Sequence, residues 1–217
     1  MIKVFNKGNN LIKKCIFCNE NSENSKSVEH IIPESLGNTK YILEPGIVCD
    51  KCNNYFSRAI EKPILDSEDF RNARFYQYIE SKKGKIPNTE ALIAGNKVLL
   101  HWGIVGGVPS LMMGVSPEDM INILNKKPKT FFTKGIDVNI PNLKYEMSRF
   151  IAKVGYEMYI YLSLEHAKER YKDYKIYFDI DESFDKIRKF IRYGRNNKKP
   201  WKYSSKKIKE YEPGKMI

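Results

Sequence analysis

Histidine and cysteine are scarce in this chain of 217 residues, with three of the one and four of the other, and acidic residues are absent from Lys186 to Lys209. No apolar stretch approaches the length of a membrane span, and the opening MIKVFNKGNNLIKK lacks the apolar run of a secretory leader. A soluble, cytoplasmic protein with no membrane partner is therefore expected. No internal repeat appears, which argues against a solenoid or propeller. Hydrophobic residues at 41% and aromatic residues at 12% are ample for a folded chain and exclude a disordered one.

What is abundant is positive charge. A formal net charge of +12 suits a polyanionic partner, because lysine and arginine draw in phosphate backbones and release their counterions. A uniform compositional bias toward lysine would not clear acids from a long segment. From Lys186 to Lys209 eleven basic residues are interleaved with Phe190, Tyr193, Trp201 and Tyr203. Arg192, Arg195, Lys198, Lys199, Lys202, Lys206 and Lys207 are accordingly candidates for nucleic-acid contact, with Trp201 and Tyr203 placed to stack on bases or to pack back on the domain.

Two parts are expected. Residues 1–62 are polar, turn-rich and hold every cysteine; residues 63–217 read as an α+β domain. Within the second part, residues 91–116 carry apolar runs broken at Gly95-Asn96 and Gly106-Gly107, which predicts a small antiparallel sheet. Ser116-Pro117, followed by two acids, predicts a helix start. Met147, Phe150, Ile151, Val154, Met158, Tyr161 and Leu162 recur at helical spacing from Lys144 to His166, forming the spine of the second domain, with Lys144, Arg149 and Lys153 expected on a solvated face, or else facing DNA. Asp181 is expected to cap a last helix that buries Phe184, Ile187, Phe190 and Ile191 and ends near Gly194.

The cysteines form two pairs, Cys15-x-x-Cys18 and Cys49-x-x-Cys52. Each knuckle offers two thiolates from one tight turn, and two knuckles complete a tetrahedral zinc site with no open position. A redox dithiol needs only one such motif, and disulfides are uncommon in the cytosol. Such a zinc is structural, so any chemistry has to come from residues nearby.

Between the knuckles lies SVEHIIPESLGN, and CNNYFS follows from the second knuckle. This combination, over roughly residues 15–60, resembles the HNH endonuclease family in its zinc-containing ββα-metal form. The resemblance implies that His30 is the general base that activates water. It implies that Glu29, commonly Asp in the family, and Asn53 hold one divalent cation, Mg²⁺ or Mn²⁺. The chemistry agrees: phosphodiester hydrolysis needs an activated water and a cation, imidazole titrates near neutrality, and Glu and Asn offer hard oxygen ligands. Pro33 and Gly37 shape the intervening loop, and Asn38, Asn54 and Arg58 are candidates for phosphate or loop contacts. The family's middle residue falls at Glu44 by spacing, with Asn38 the nearest alternative. The expectation is a DNA endonuclease of the kind used in restriction or antiphage defence. A non-catalytic zinc-dependent DNA-binding or regulatory protein, an RNA-cleaving effector and a homodimer stay open.

Overall fold

Among the described residues, antiparallel strand pairing and two separate hydrophobic cores organise the fold. The computed structural model describes residues 2–5, 13–81, 83–133, 144–170, 175–178 and 182–194. Among the described residues, no helix is long and apolar enough to cross a membrane.

The first half builds a short hairpin and a helix. Strands β2 (Glu29–His30) and β3 (Ile42–Leu43) pair in the register Glu29↔Leu43 and His30↔Ile42. The connecting loop contains a 3₁₀ turn at Glu34–Leu36, closed by Gly37 at φ +86°, a left-handed conformation that glycine adopts without a Cβ penalty. Helix α1 (Asp50–Phe56) is capped by Cys49, whose sulfur accepts from Cys52 N–H at 3.4 Å. The helix runs on through a π-type turn, Ser57–Glu61, into α2 (Lys62–Leu65). Pro63 has no N–H to donate and its ring crowds the carbonyl four residues back. The wider turn, in which Lys62 N–H reaches Ser57 O, accommodates it.

Helix α3 (Glu68–Tyr76) then leads to a four-stranded antiparallel sheet of β4 (Thr89–Ile93), β5 (Asn96–Val105), β6 (Val108–Gly114) and β7 (Phe131–Thr133), in the order β6-β5-β4-β7. The β5–β6 turn is Gly106-Gly107, both at positive φ, as the sequence predicts. Helix α4 (Pro117–Lys126) is capped by the Ser116 hydroxyl, again as predicted. Phe75, Ala91, Val98, Leu100 and Ile123 form the core of this unit, and Trp102 Nε1 donates to Phe75 O at 3.0 Å.

Helix α5 (Lys144–Arg170) packs elsewhere than expected. Its Met147, Phe150, Tyr156, Ile160 and Leu164 share one core with Ile16, Phe17, Ile31, Leu43, Phe56, Ile60 and all but one of the cysteines. Ile191, from α6 (Asp185–Tyr193), joins them. Among the described residues, the cysteine-bearing segment therefore shares its core with Ile64 of α2 and with α5 and α6, all from beyond residue 62. Arg149 and Lys153, expected in solvent, are 7% and 0% exposed. Helix α6 follows a 3₁₀ turn, Glu182–Phe184, and ends at Gly194 at φ +63°. The proposed cap at Asp181 lies outside the described residues. Strand β1 (Ile2–Phe5) pairs antiparallel with β8 (Lys175–Phe178).

Candidate metal centre and active-site cleft

The four cysteine sulfurs lie within 4.8 Å of one another. Asn19, at φ +62°, lets its N–H return to Cys15 O and closes the first knuckle, while Cys49 N–H donates to Cys15 Sγ at 3.3 Å. Zinc–sulfur bonds of about 2.3 Å in a tetrahedron require sulfurs about 3.8 Å apart. Cys18 and Cys49 are separated by 3.6 Å, so the set fits zinc. Crowding makes the thiols unequal. The hydrogen bond from Cys15, then that from Cys52, pulls Cys18 down to about 2; the same Cys18 interaction pushes Cys15 up to about 12. Hydrogen bonds to Cys15 and Cys18 raise Cys52 as well. Without a cation one thiolate forms at its neighbours' expense, whereas a bound dication stabilises all four.

Next to this cluster, α1 clamps the strand that carries the histidine. Asp50 accepts from the N–H groups of Lys26 and Ser27, at 3.1 and 2.9 Å, and Asn53 Nδ2 donates to Val28 O at 2.8 Å. Glu29, His30 and Asn53 thus line one cleft of about 210 Å³, with Glu34, Ser57 and Glu61 on its walls. Ser57 and Glu61 follow Asn53 at intervals of four, and the π-type turn keeps the three on one side of the helix. His30 is 22% exposed; its Nδ1 has no partner and its Nε2 lies 3.9 Å from Glu34 Oε2.

Glu29 is 4% exposed and divides its oxygens. Oε1 accepts from Lys153 Nζ at 2.6 Å, while the buried Oε2 has no partner. The same ammonium meets Glu157 Oε2 at 2.9 Å and Glu61 Oε1 at 3.0 Å. Burial opposes the charge on Lys153, but attraction from Glu157, Glu29 and Glu61 outweighs it and holds its pKa above the ordinary lysine value. Burial raises the carboxyls of Glu29 and Glu157, against the pull of Lys153. The ammonium therefore stays charged. Among the described residues, the four cysteines are the one group of three or more His, Cys, Asp or Glu side chains with ligand atoms this close, so a cation in the cleft would rest on few protein ligands.

The bracing role belongs to Asn38 and not to Glu44. Asn38 Nδ2 donates to Ile32 O and Tyr41 O, and its Oδ1 accepts from the N–H groups of Lys40 and Tyr41, tying both ends of the β2–β3 loop. Glu44 points outward and pairs with Lys168 at 2.8 Å. Of the other site candidates, Arg58 is exposed and its Nε reaches Asn54 O at 3.4 Å, outside the cleft. Arg192 is half-buried, with its guanidinium 4.1 Å from the Tyr55 ring centroid. Burial opposes its charge, and a hydrogen bond to Cys52 sustains it. It therefore flanks the thiol cluster. Arg195, Lys198, Lys199, Lys202, Lys206 and Lys207 lie outside the described residues. Sequence reading missed Lys153, Glu157 and Glu61. The available signal was their spacing: Arg149, Lys153 and Glu157 repeat every four residues beside the apolar Phe150, Val154 and Met158.

Residues 15–68 match the family model described as HNH endonuclease. The match spans about a quarter of the chain and includes all four cysteines, the β2–β3 hairpin and the whole of α1. No curated protein and no solved structure matches the chain.

Proposed function

We propose that this HNH-type segment makes the chain a metal-dependent endonuclease that hydrolyses phosphodiester bonds in DNA. The observation that carries the reading is the convergence of Glu29 and His30, from β2, with Asn53, from α1, on one cleft beside a four-thiol cluster. The donors suit a hard divalent cation: Glu29 Oε2 is a buried carboxylate oxygen without a partner, and Asn53 spends Nδ2 on Val28 O, which leaves Oδ1 for a ligand. A cation such as Mg²⁺ or Mn²⁺ held by these two residues supplies Lewis-acid stabilisation of charge on the phosphate and the leaving oxygen.

The protein's own groups do the rest. His30 takes the proton from the attacking water; neither ring nitrogen is committed to a hydrogen bond among the described residues. Asn38 keeps the loop in the shape that presents His30. Zinc held by the four cysteines would fix α1, and with it Asn53, against the hairpin. The acid-free segment 186–209 supplies the electrostatic attraction for the phosphate backbone.

Supercoiled plasmid and single-stranded RNA, each incubated with Mg²⁺ or Mn²⁺, test the reading. Plasmid should be nicked or linearised, and His30→Ala should remove cleavage while zinc content, folding and DNA affinity persist. Undiminished cleavage by His30→Ala would sink the assignment of the base. DNA binding without turnover in the parent protein would favour a non-catalytic scaffold.

A further inference from the structure

We infer that Lys153 is a positioning residue for the cation site: by holding Oε1 of Glu29, it leaves Oε2 as the oxygen presented for a cation at the cleft. The inference rests on the proposed function. Lys153 lies on α5, 124 residues from Glu29 in sequence and outside the segment that matches the HNH model.

Three observations carry it. First, Lys153 Nζ donates to Glu29 Oε1 at 2.6 Å and to Glu157 Oε2 at 2.9 Å, and lies 3.0 Å from Glu61 Oε1. The short donation to Oε1 fixes which Glu29 oxygen is spent on the ammonium. Second, two carboxylate oxygens of the cluster are buried without a partner, Glu29 Oε2 and Glu157 Oε1, and of these two residues only Glu29 lines the cleft. Third, two of the three carboxyl residues that meet Lys153, Glu29 and Glu61, lie on the cleft wall.

Stability alone is a poor explanation for this arrangement. Desolvating an ion pair is costly, and packed apolar side chains of similar volume serve a core as well or better. A group that orients a metal ligand has a different reason to be charged and buried, and loss of such a partner typically lowers metal affinity about 10- to 100-fold.

The test measures Mn²⁺ binding to the zinc-loaded full chain from the electron paramagnetic resonance signal of free Mn²⁺. The variants are Lys153→Met, Lys153→Arg and the double variant Lys153→Met/Glu157→Gln, in which the glutamine removes the carboxylate left uncompensated. The double variant should keep one zinc per chain and bind Mn²⁺ about 10- to 100-fold more weakly, with Lys153→Arg intermediate. Affinity equal to the parent's in the folded double variant overturns the inference. If the variants do not fold, the parent protein decides. With ¹³C-labelled lysine and histidine, Mn²⁺ but not Mg²⁺ should broaden the Lys153 ε-methylene signal together with the His30 ring signals. Broadening of His30 with Lys153 unaffected overturns the inference and leaves the cation site standing. Absence of Mn²⁺ binding in the parent overturns the cation site and this inference with it.

Discussion

Replacing Asn38 with aspartate tests the geometry of the β2–β3 loop with almost no change in side-chain size. Asn38 is 8% exposed and makes four hydrogen bonds. Aspartate keeps the two bonds accepted from Lys40 and Tyr41 N–H. It loses the two donated by Nδ2, at 2.8 Å to Ile32 O and 2.9 Å to Tyr41 O. A carboxylate oxygen then faces two carbonyl oxygens at those distances. The two missing bonds cost about 1 kcal/mol each, and a buried acceptor against acceptors adds about 1–2 kcal/mol, for roughly 3–4 kcal/mol in all. At about 2–4 °C per kcal/mol for a chain of this size, Tm should fall by roughly 6–16 °C. Thermal denaturation of zinc-loaded protein at pH 7 measures it. Acidification should narrow the gap, because a protonated aspartate regains one donor. Plasmid cleavage should drop with Tm well below the transition, since the loop positions His30. A Tm within about 1 °C of the parent at pH 7 would refute the bracing role.

Cys52→Ser should release zinc and, because Cys52 shares a core with Met147, Phe150 and Ile160 of α5, abolish the near-ultraviolet signal of that core and not only that of the knuckles; unchanged metal stoichiometry would count against the four-thiol site. Phe56→Ala, at 0% exposure and with its ring centroid 4.4 Å from that of Phe17, should cost about 3–5 kcal/mol in denaturant unfolding. Burial raises the Glu157 pKa in the folded state, so the stability it contributes is present below the unfolded carboxylate pKa and is lost as pH rises through the higher folded value. Glu157→Gln cannot ionise, and its Tm relative to the parent should climb as pH rises above the ordinary carboxylate range; parallel curves would show that the Glu157 carboxyl is not raised in the folded state. Neutralising Lys198, Lys199, Lys202, Lys206 and Lys207 should flatten the salt dependence of DNA affinity by roughly one log–log unit for each phosphate no longer neutralised, and an unchanged slope would remove the segment from the interface.

The elements legible in the sequence are those written in contiguous residues. The Cys-x-x-Cys knuckles, the Ser116 cap and the Gly106-Gly107 turn each depend on the conformation of a few neighbours, and each appears where the spacing predicts it. The cleft was half legible. Glu29 and His30 are adjacent, and Asn53 follows a cysteine ligand, so the motif carries all three. Spacing left the bracing residue open between Glu44 and Asn38, because counting back from Asn53 assumes a loop of fixed length, whereas the requirement is a side chain able to donate and accept across the loop ends, and Asn38 meets it.

What the sequence by itself determined is therefore local: a metal-binding pair of knuckles, an acid-and-histidine motif and a basic, acid-free segment. The tertiary structure alone decided that the cysteine-bearing module shares its core with α5 and α6, that Arg149 and Lys153 are interior, and that Glu29 answers to a lysine 124 residues away. The reason is electrostatic. Charged residues repeat at helical spacing whether they face water or neutralise one another, and a lysine is tolerated at 0% exposure only when carboxylates from elsewhere in the chain surround it. Helical periodicity does not record those partners; long-range packing supplies them.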